Sequence, residues 1–193
     1  MPHAIHVSAY GLTEAGGVEV RIEDPATGEA LPANSVGEIL LRGFSLFEGY
    51  YKDAQKTRET IDQRGYLHTG DYGCITAAGM VSYRGRLKDM LKVGGENVAA
   101  LEIESYLNTH PDVILSQVVG VADSRLNEVA AAFIERRPGA GVTAQDLIAY
   151  CKGQISSFKI PRYIAFVYEW PMSATKIQKY KLKDWPLGKR AFD

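Results

Sequence analysis

Gly85-Arg86-Leu87-Lys88-Asp89-Met90-Leu91-Lys92-Val93-Gly94-Gly95-Glu96-Asn97-Val98 is the stretch at which the rhythm of this 193-residue chain changes. Upstream, from Gly17 to about Arg86, short alternating runs such as Val18-Glu19-Val20-Arg21-Ile22 and Gly37-Glu38-Ile39-Leu40-Leu41-Arg42-Gly43 are broken by Asp24-Pro25-Ala26-Thr27-Gly28. Period-two alternation between Pro, Gly and Asp clusters predicts antiparallel strands. Asp53 to about Asp62 reads as a short surface helix. A tight turn at Arg64-Gly65 follows, then a strand pair around Asp71–Ile75 and Met80–Tyr83.

Downstream, Ala100, Ile103 and Leu107 recur at helical spacing, with Glu102 and Glu104 near the favourable N-terminal end of the helix dipole and Pro111 as a stop. Val113–Val121 and Glu128–Glu135 read as strands. Thr143-x-x-Asp146 predicts a capping box opening a helix with Ile148, Cys151 and Ile155 on one face, and Tyr163–Tyr168 reads as a further strand. The expected fold class is α+β: an antiparallel, β-rich region over residues 1–86, then a compact α+β domain over 87–193 built from a hairpin, three strands and helices.

Composition narrows the function classes. The chain is 46% hydrophobic and 23% charged with a net charge of -1, so it offers no basic field for nucleic acid, and no apolar run reaches the length of a bilayer span. Small-molecule partners are expected. Two cysteines, Cys74 and Cys151, have neither CxxC spacing nor a disulfide framework, which suits a reducing, cytoplasmic setting. Lys176, Lys179, Lys181, Lys183, Lys189 and Arg190 crowd the tail, either as a solvated face or as a site for an anionic ligand.

Several residue groups carry chemistry. Thr13 and Glu14 in Tyr10-Gly11-Leu12-Thr13-Glu14 join a hydroxyl to a hard carboxylate, a pair suited to a magnesium-nucleotide, although Thr-Glu also starts an ordinary turn. Tyr10 offers a face for a purine, or simply a rim aromatic. Asp71, after Thr69-Gly70, accepts two hydrogen bonds at once and matches the paired hydroxyls of a ribose. Arg86, fifteen positions on, brings a planar fork of donors beside it if the strands pair; the same residues would also make a plain cross-strand ion pair. Lys88 and Asp89 suit a solvated hinge. Gly94-Gly95 permits positive φ, for a ligand or for a hairpin alone. Lys176 supplies a point charge able to stabilise a developing oxyanion, or stands on the surface.

In order and spacing these segments resemble the adenylate-forming superfamily of acyl-CoA synthetases, peptide-synthetase adenylation domains and luciferases, and Gly85–Val98 looks most like the fatty or aryl acyl-CoA synthetases. The resemblance covers essentially the whole chain. It implies that Tyr10 stacks on adenine, Thr13 touches phosphate, Glu14 holds Mg²⁺, and Asp71 with Arg86 binds the ribose of ATP or AMP. It further implies that Lys88 is the hinge, that Gly94, Gly95 and Glu96 line the channel for CoA, that Lys92 is a thioester-stage lysine, and that Lys176 catalyses adenylation. One departure is Thr175, where the family usually has glycine before that lysine. No Ser/Thr/Gly-rich, lysine-ended phosphate loop occurs in the 193 residues. The expectation is therefore the C-terminal portion of an acyl-CoA synthetase that does not adenylate a carboxylic acid by itself. The alternatives are a non-catalytic interaction module, or one half of a split enzyme that docks on an N-terminal half or on a second copy.

Overall fold

The computed structural model describes residues 19–187, which divide into two compact units between Leu87 and Lys88.

The first unit contains strands β1 (Glu19–Glu23), β2 (Gly37–Arg42), β3 (Leu67–Ile75) and β4 (Val81–Arg86), with the short helix α1 (Ala54–Thr60) between β2 and β3. The four strands form one antiparallel sheet in the order β1-β2-β3-β4. Ile22, Ile39, Leu41 and Leu67 are buried together, while β2 departs from simple alternation because Glu38 and Leu40 on its other face are buried as well. Turn chemistry is equally direct. The Asp24 carboxylate accepts the Ala26 N–H, Gly28 N–H donates to the Asp24 carbonyl, and Asp53 caps α1 by accepting the Lys56 N–H. Helix α1 buries none of its residues, so it is held by its cap and termini rather than by an apolar face. The buried Glu23 carboxylate takes both terminal nitrogens of Arg64 at 2.9 Å and the Nε of Arg21 at 2.8 Å, which compensates its removal from water.

The second unit opens with a 3-10 turn at Leu87–Asp89 and the hairpin β5 (Met90–Val93) and β6 (Glu96–Ala99). Helix α2 (Ala100–Leu107), strands β7 (Val113–Asp123) and β8 (Asn127–Arg136), helix α3 (Ala144–Cys151) and strand β9 (Tyr163–Val167) follow. This is the element order expected from the sequence, with three differences. The hairpin is not separate: Val93 pairs with Asn127, joining β5 and β6 to β8 in a five-stranded sheet, where β9 runs parallel to β8. Helix α2 stops at Leu107 rather than running to Pro111, because the Asn108 side chain turns to the next strand and accepts the Ser116 N–H at 2.8 Å. Helix α3 ends at Cys151, so Ile155 joins the core from the loop beyond it.

Both faces of this sheet are covered. Val118, Ala130, Ala132 and Ile134 pack with Ile103 and Leu107 of α2 and Leu147, Ile148 and Cys151 of α3. Their alternates Val119, Ala131 and Phe133 pack with Val167, Leu182 and the tryptophans 170 and 185. A strand buried on both faces reads as a continuous apolar run, which is what Val129–Ile134 is. No helix among the described residues is long and apolar enough to cross a membrane.

The capping box of α3 is complete: Asp146 N–H donates to the Thr143 hydroxyl and the Thr143 N–H to the Asp146 carboxylate at 2.9 Å. The hydroxyl and backbone bonds from Thr143 hold the Asp146 carboxyl below its ordinary value of 3.8. The depressed group stabilises the fold fully above that value and loses its contribution as pH falls through the lower folded-state value. Thr143→Ala is expected to destabilise the chain by about 1 kcal/mol, and the difference in urea midpoint between wild type and variant should narrow, leaving the part due to the Asp146 N–H bond, as pH is lowered below 4. A pH-independent gap would count against the box.

Candidate nucleotide and thioester site

Asp71 and Arg86 meet through strand register. They are direct partners across β3 and β4, so their side chains emerge on one face, and Arg86 Nε lies 2.7 Å from the Asp71 carboxylate. The register is shifted between Tyr72 and Gly73, where β4 carries Arg84 as an extra residue. A Cβ on Gly73 would fall 2.4 Å from the Ser82 carbonyl oxygen, so only glycine permits this close approach beside the pair.

The turn ahead of Asp71 is fixed from three directions. Thr69 donates its hydroxyl to the Ile39 carbonyl at 2.6 Å and accepts the Asp71 N–H at 3.0 Å. The Glu38 carboxylate accepts the Gly70 N–H at 3.0 Å, with His68 Nδ1 3.0 Å from its other oxygen. Gly70 has φ +67° and open space where a side chain would point, so its role is conformational. Asp71 is 3% exposed while the Arg86 side chain is 43% exposed, giving a shielded carboxylate with a donor fork at its rim. The pair is thus the cross-strand ion pair that the sequence allowed, and the geometry is also that of a directed acceptor beside a donor. Sequence reading found Asp71 and Arg86 and missed Glu38; its sole sequence signal is a carboxylate within an apolar strand.

Lys88 is exposed at the start of the second unit, within the 3-10 turn. Lys92 is exposed on β5, its backbone N–H donating to the Glu128 carboxylate at 2.8 Å. Gly94 and Gly95 form the two-residue turn between β5 and β6, with φ of +59° and +92° and Val93 facing Glu96 across the hairpin. Positive φ at both central positions defines the tight hairpin turn whose twist matches the strands, so the glycines are required by local geometry alone. Glu96 is exposed just beyond it. Glu128 escaped the sequence reading; a Cβ on Gly120 would come within 3.0 Å of its carboxyl carbon, so the small residue on β7 makes room for this brace.

Lys176 stands exposed on a second hairpin. Met172 and Ile177 form a bridge, Ser173 N–H donates to the Lys176 carbonyl at 2.8 Å, and the Ser173 hydroxyl lies between the backbone groups of Lys176. Thr175 has negative φ, so this turn closes without the glycine conformation and places a β-branched residue there at no backbone strain. Tyr10, Thr13 and Glu14 lie outside the described residues.

The second unit also carries a cavity of about 600 Å³ whose apolar floor includes Leu126, Ile155 and Phe158 and whose rim carries Arg125, Lys152 and Arg162. An apolar bed with a cationic rim suits a ligand with an aromatic ring and phosphates. No motif drew attention to it, because its residues come from two loops and a strand end.

The chain thus combines the β-rich unit that carries Asp71 and Arg86 with a unit that carries Lys176 and two glycines in a tight hairpin, an arrangement of the adenylate-forming class. Residues 102–176 match the AMP-binding enzyme C-terminal domain. YngI of Bacillus subtilis (strain 168), which is named an acyl-CoA synthetase, is 46% identical over 167 residues, 86% of this chain and 30% of its own length. A medium-chain acyl-CoA ligase, mitochondrial ACSF2 of Danio rerio, is 41% identical over 86% of this chain and 28% of its own. ATP-bound MatB from Rhodopseudomonas palustris superposes with a TM-score of 0.82 at 35% identity, over 88% of this chain and 34% of that one. Residues 102–176 thus form a C-terminal domain of the AMP-binding enzymes, and most of the chain is similar to acyl-CoA synthetases and other adenylate-forming enzymes. It spans about 30% of the length of the curated relatives it matches.

Because Gly95 meets open space and only its φ excludes side chains, Gly95→Ala is expected to cost about 1–2 kcal/mol and Gly95→Asn distinctly less. Urea unfolding of the two variants checks this. Equal costs would mean that something other than backbone conformation requires the glycine.

Proposed function

We propose that this chain is the C-terminal portion of an ATP-dependent acyl-CoA synthetase acting on a fatty or aryl acid. The observation that carries the reading is that the match to the AMP-binding enzyme C-terminal domain runs through to Lys176 itself, which is presented in solvent on its own hairpin. In the first half-reaction a carboxylate oxygen of the acid attacks the α-phosphorus of ATP and pyrophosphate leaves. The Lys176 ammonium offsets negative charge growing on the oxygens around that phosphorus, and it does so best when held in place beforehand. Asp71 and Arg86 hold the ribose, the carboxylate accepting from its hydroxyls and the guanidinium donating to them. Tyr10 and Thr13 bind adenine and phosphate. In the second half-reaction the CoA sulfur attacks the acyl carbon and AMP leaves, with Lys88 as the hinge between stages and Lys92, Gly94, Gly95 and Glu96 beside the thiol arm. The cavity rimmed by Arg125, Lys152 and Arg162 supports this reading, since CoA ends in a nucleotide carrying phosphates.

Mg²⁺ enters as part of the ATP substrate. Glu14, the residue proposed to meet it, lies outside the described residues, and the described residues hold no cluster of three metal-ligating side chains.

The 193 residues alone offer few of the contacts such a reaction requires. Two or three hydrogen bonds to charged groups, each worth about 1.5–3 kcal/mol, less the cost of immobilising ATP, correspond to binding on the order of millimolar or weaker. The isolated polypeptide is therefore expected to show no carboxylate-dependent exchange of pyrophosphate into ATP with octanoate or benzoate. Addition of the N-terminal portion of a relative should restore exchange. Lys176→Ala should then lower it by about 10²–10³ while leaving thioester formation from preformed acyl-adenylate nearly unchanged. Silence after reconstitution would favour a non-catalytic interaction module.

A further inference from the structure

We infer that Glu104 and Lys179 form the tether that positions Lys176, an inference that rests on the adenylation role proposed for that lysine. Strand β7 is the edge of the five-stranded sheet, so one of its sides has no strand partner. Unpaired N–H groups on such an edge need acceptors. Helix α2 and its C-cap provide them from two side chains one turn apart. Asn108 accepts the N–H of Ser116, and the Glu104 carboxylate accepts the N–H of Val118 at 2.6 Å. Glu104 is only 5% exposed, and a buried carboxylate needs a cation as well as a hydrogen-bond donor.

The cation is Lys179, whose ammonium lies 2.5 Å from the same Glu104 oxygen, with 17% of its side chain exposed. Lys179 is three residues beyond Lys176 and begins the 3-10 segment Lys179–Asp184. Between the two, Gln178 N–H donates to the Pro171 carbonyl at 2.7 Å and Met172 bridges Ile177, so the hairpin is rigid across its base. Its fixed points are therefore Lys179, locked electrostatically to α2, and Leu182, fully buried with Val119 and Phe133 on the opposite face of the sheet. Leu182 secures the tail; the pair with Glu104 sets where the hairpin leaves it. Lys176 is held within the hairpin through its backbone bonds to Ser173, and its side chain is exposed. Lys179 and Glu104 are positioning residues, and neither touches the reacting atoms.

The test is amide hydrogen exchange followed by NMR on the full 193-residue chain. In Lys179→Met, the Ser173 and Gln178 amides should exchange about tenfold faster or more, while Ala131 and Val119 in the β7–β8 ladder stay within about twofold. Lys179→Arg, which keeps the charge, should restore protection. If Lys179→Met leaves Glu104 too poorly compensated for folding, the double variant Glu104→Gln/Lys179→Met removes both charges and keeps an acceptor for Val118, with the same selective loss expected. Unchanged hairpin amides, or acceleration shared equally by the ladder, would overturn the tether. The readout needs no substrate, so its failure is distinct from failure of the adenylation role, which the Lys176→Ala exchange assay tests separately.

Discussion

The β7–β8 ladder is the interaction on which the second unit depends. Ten register pairs run from Val113 with Arg136 to Asp123 with Asn127, and every other element of the unit is placed by one edge or one face of it. β8 takes β7 on one side and β5 and β9 on the other, while the two faces take α2 and α3 or the Leu182 cluster. The Lys176 hairpin and the Gly94-Gly95 hairpin are appendages of this ladder, each fastened to it by a carboxylate, Glu104 in one case and Glu128 in the other. Small rigid sheets can thereby carry loops whose positions are set by a few polar contacts rather than by extensive packing.

The first unit solves a similar problem differently. Its apolar cluster is small, and the charged residues around it are correspondingly organised: Glu23 takes two arginines, and Glu38 takes His68 and the Gly70 amide. Burying a carboxylate is costly unless its oxygens are filled, and those of Glu38 are filled by groups that also define the turn ahead of Asp71. The same bonds that make the acid tolerable inside the protein give Asp71 its direction.

Much of this was legible in the sequence. Alternation located β1 and β2, the Thr143-Asp146 spacing located the α3 cap, and the fifteen-residue interval between Asp71 and Arg86 anticipated a cross-strand pair. Boundaries set by side-chain hydrogen bonds were not legible. Asn108 ends α2 early because it bonds Ser116, a partner eight residues ahead whose position depends on the sheet. Glu104 read as a helix-dipole carboxylate, since a glutamate in the first turns of a helix is normally solvated; nothing local announces that it faces an edge strand and a lysine 75 positions later. The union of the hairpin with the sheet rests on one register pair, Val93 with Asn127, and on bonds from Lys92 to Glu128 and from Gly94 to Leu126, too few to leave a pattern. The cavity between Leu126 and Phe158 was hidden for the same reason, its lining being drawn from separated segments.

The contrast between Gly95 and Lys176 bears on how this sequence would drift over generations. The glycine is demanded by a backbone angle and would be retained in a descendant that had abandoned catalysis altogether. The lysine side chain, exposed and apart from the core, is invisible to selection for folding. In a lineage released from enzymatic duty, position 176 would therefore randomise first while the paired glycines persisted, so the ratio of change at the two places would serve as a molecular clock for loss of chemistry.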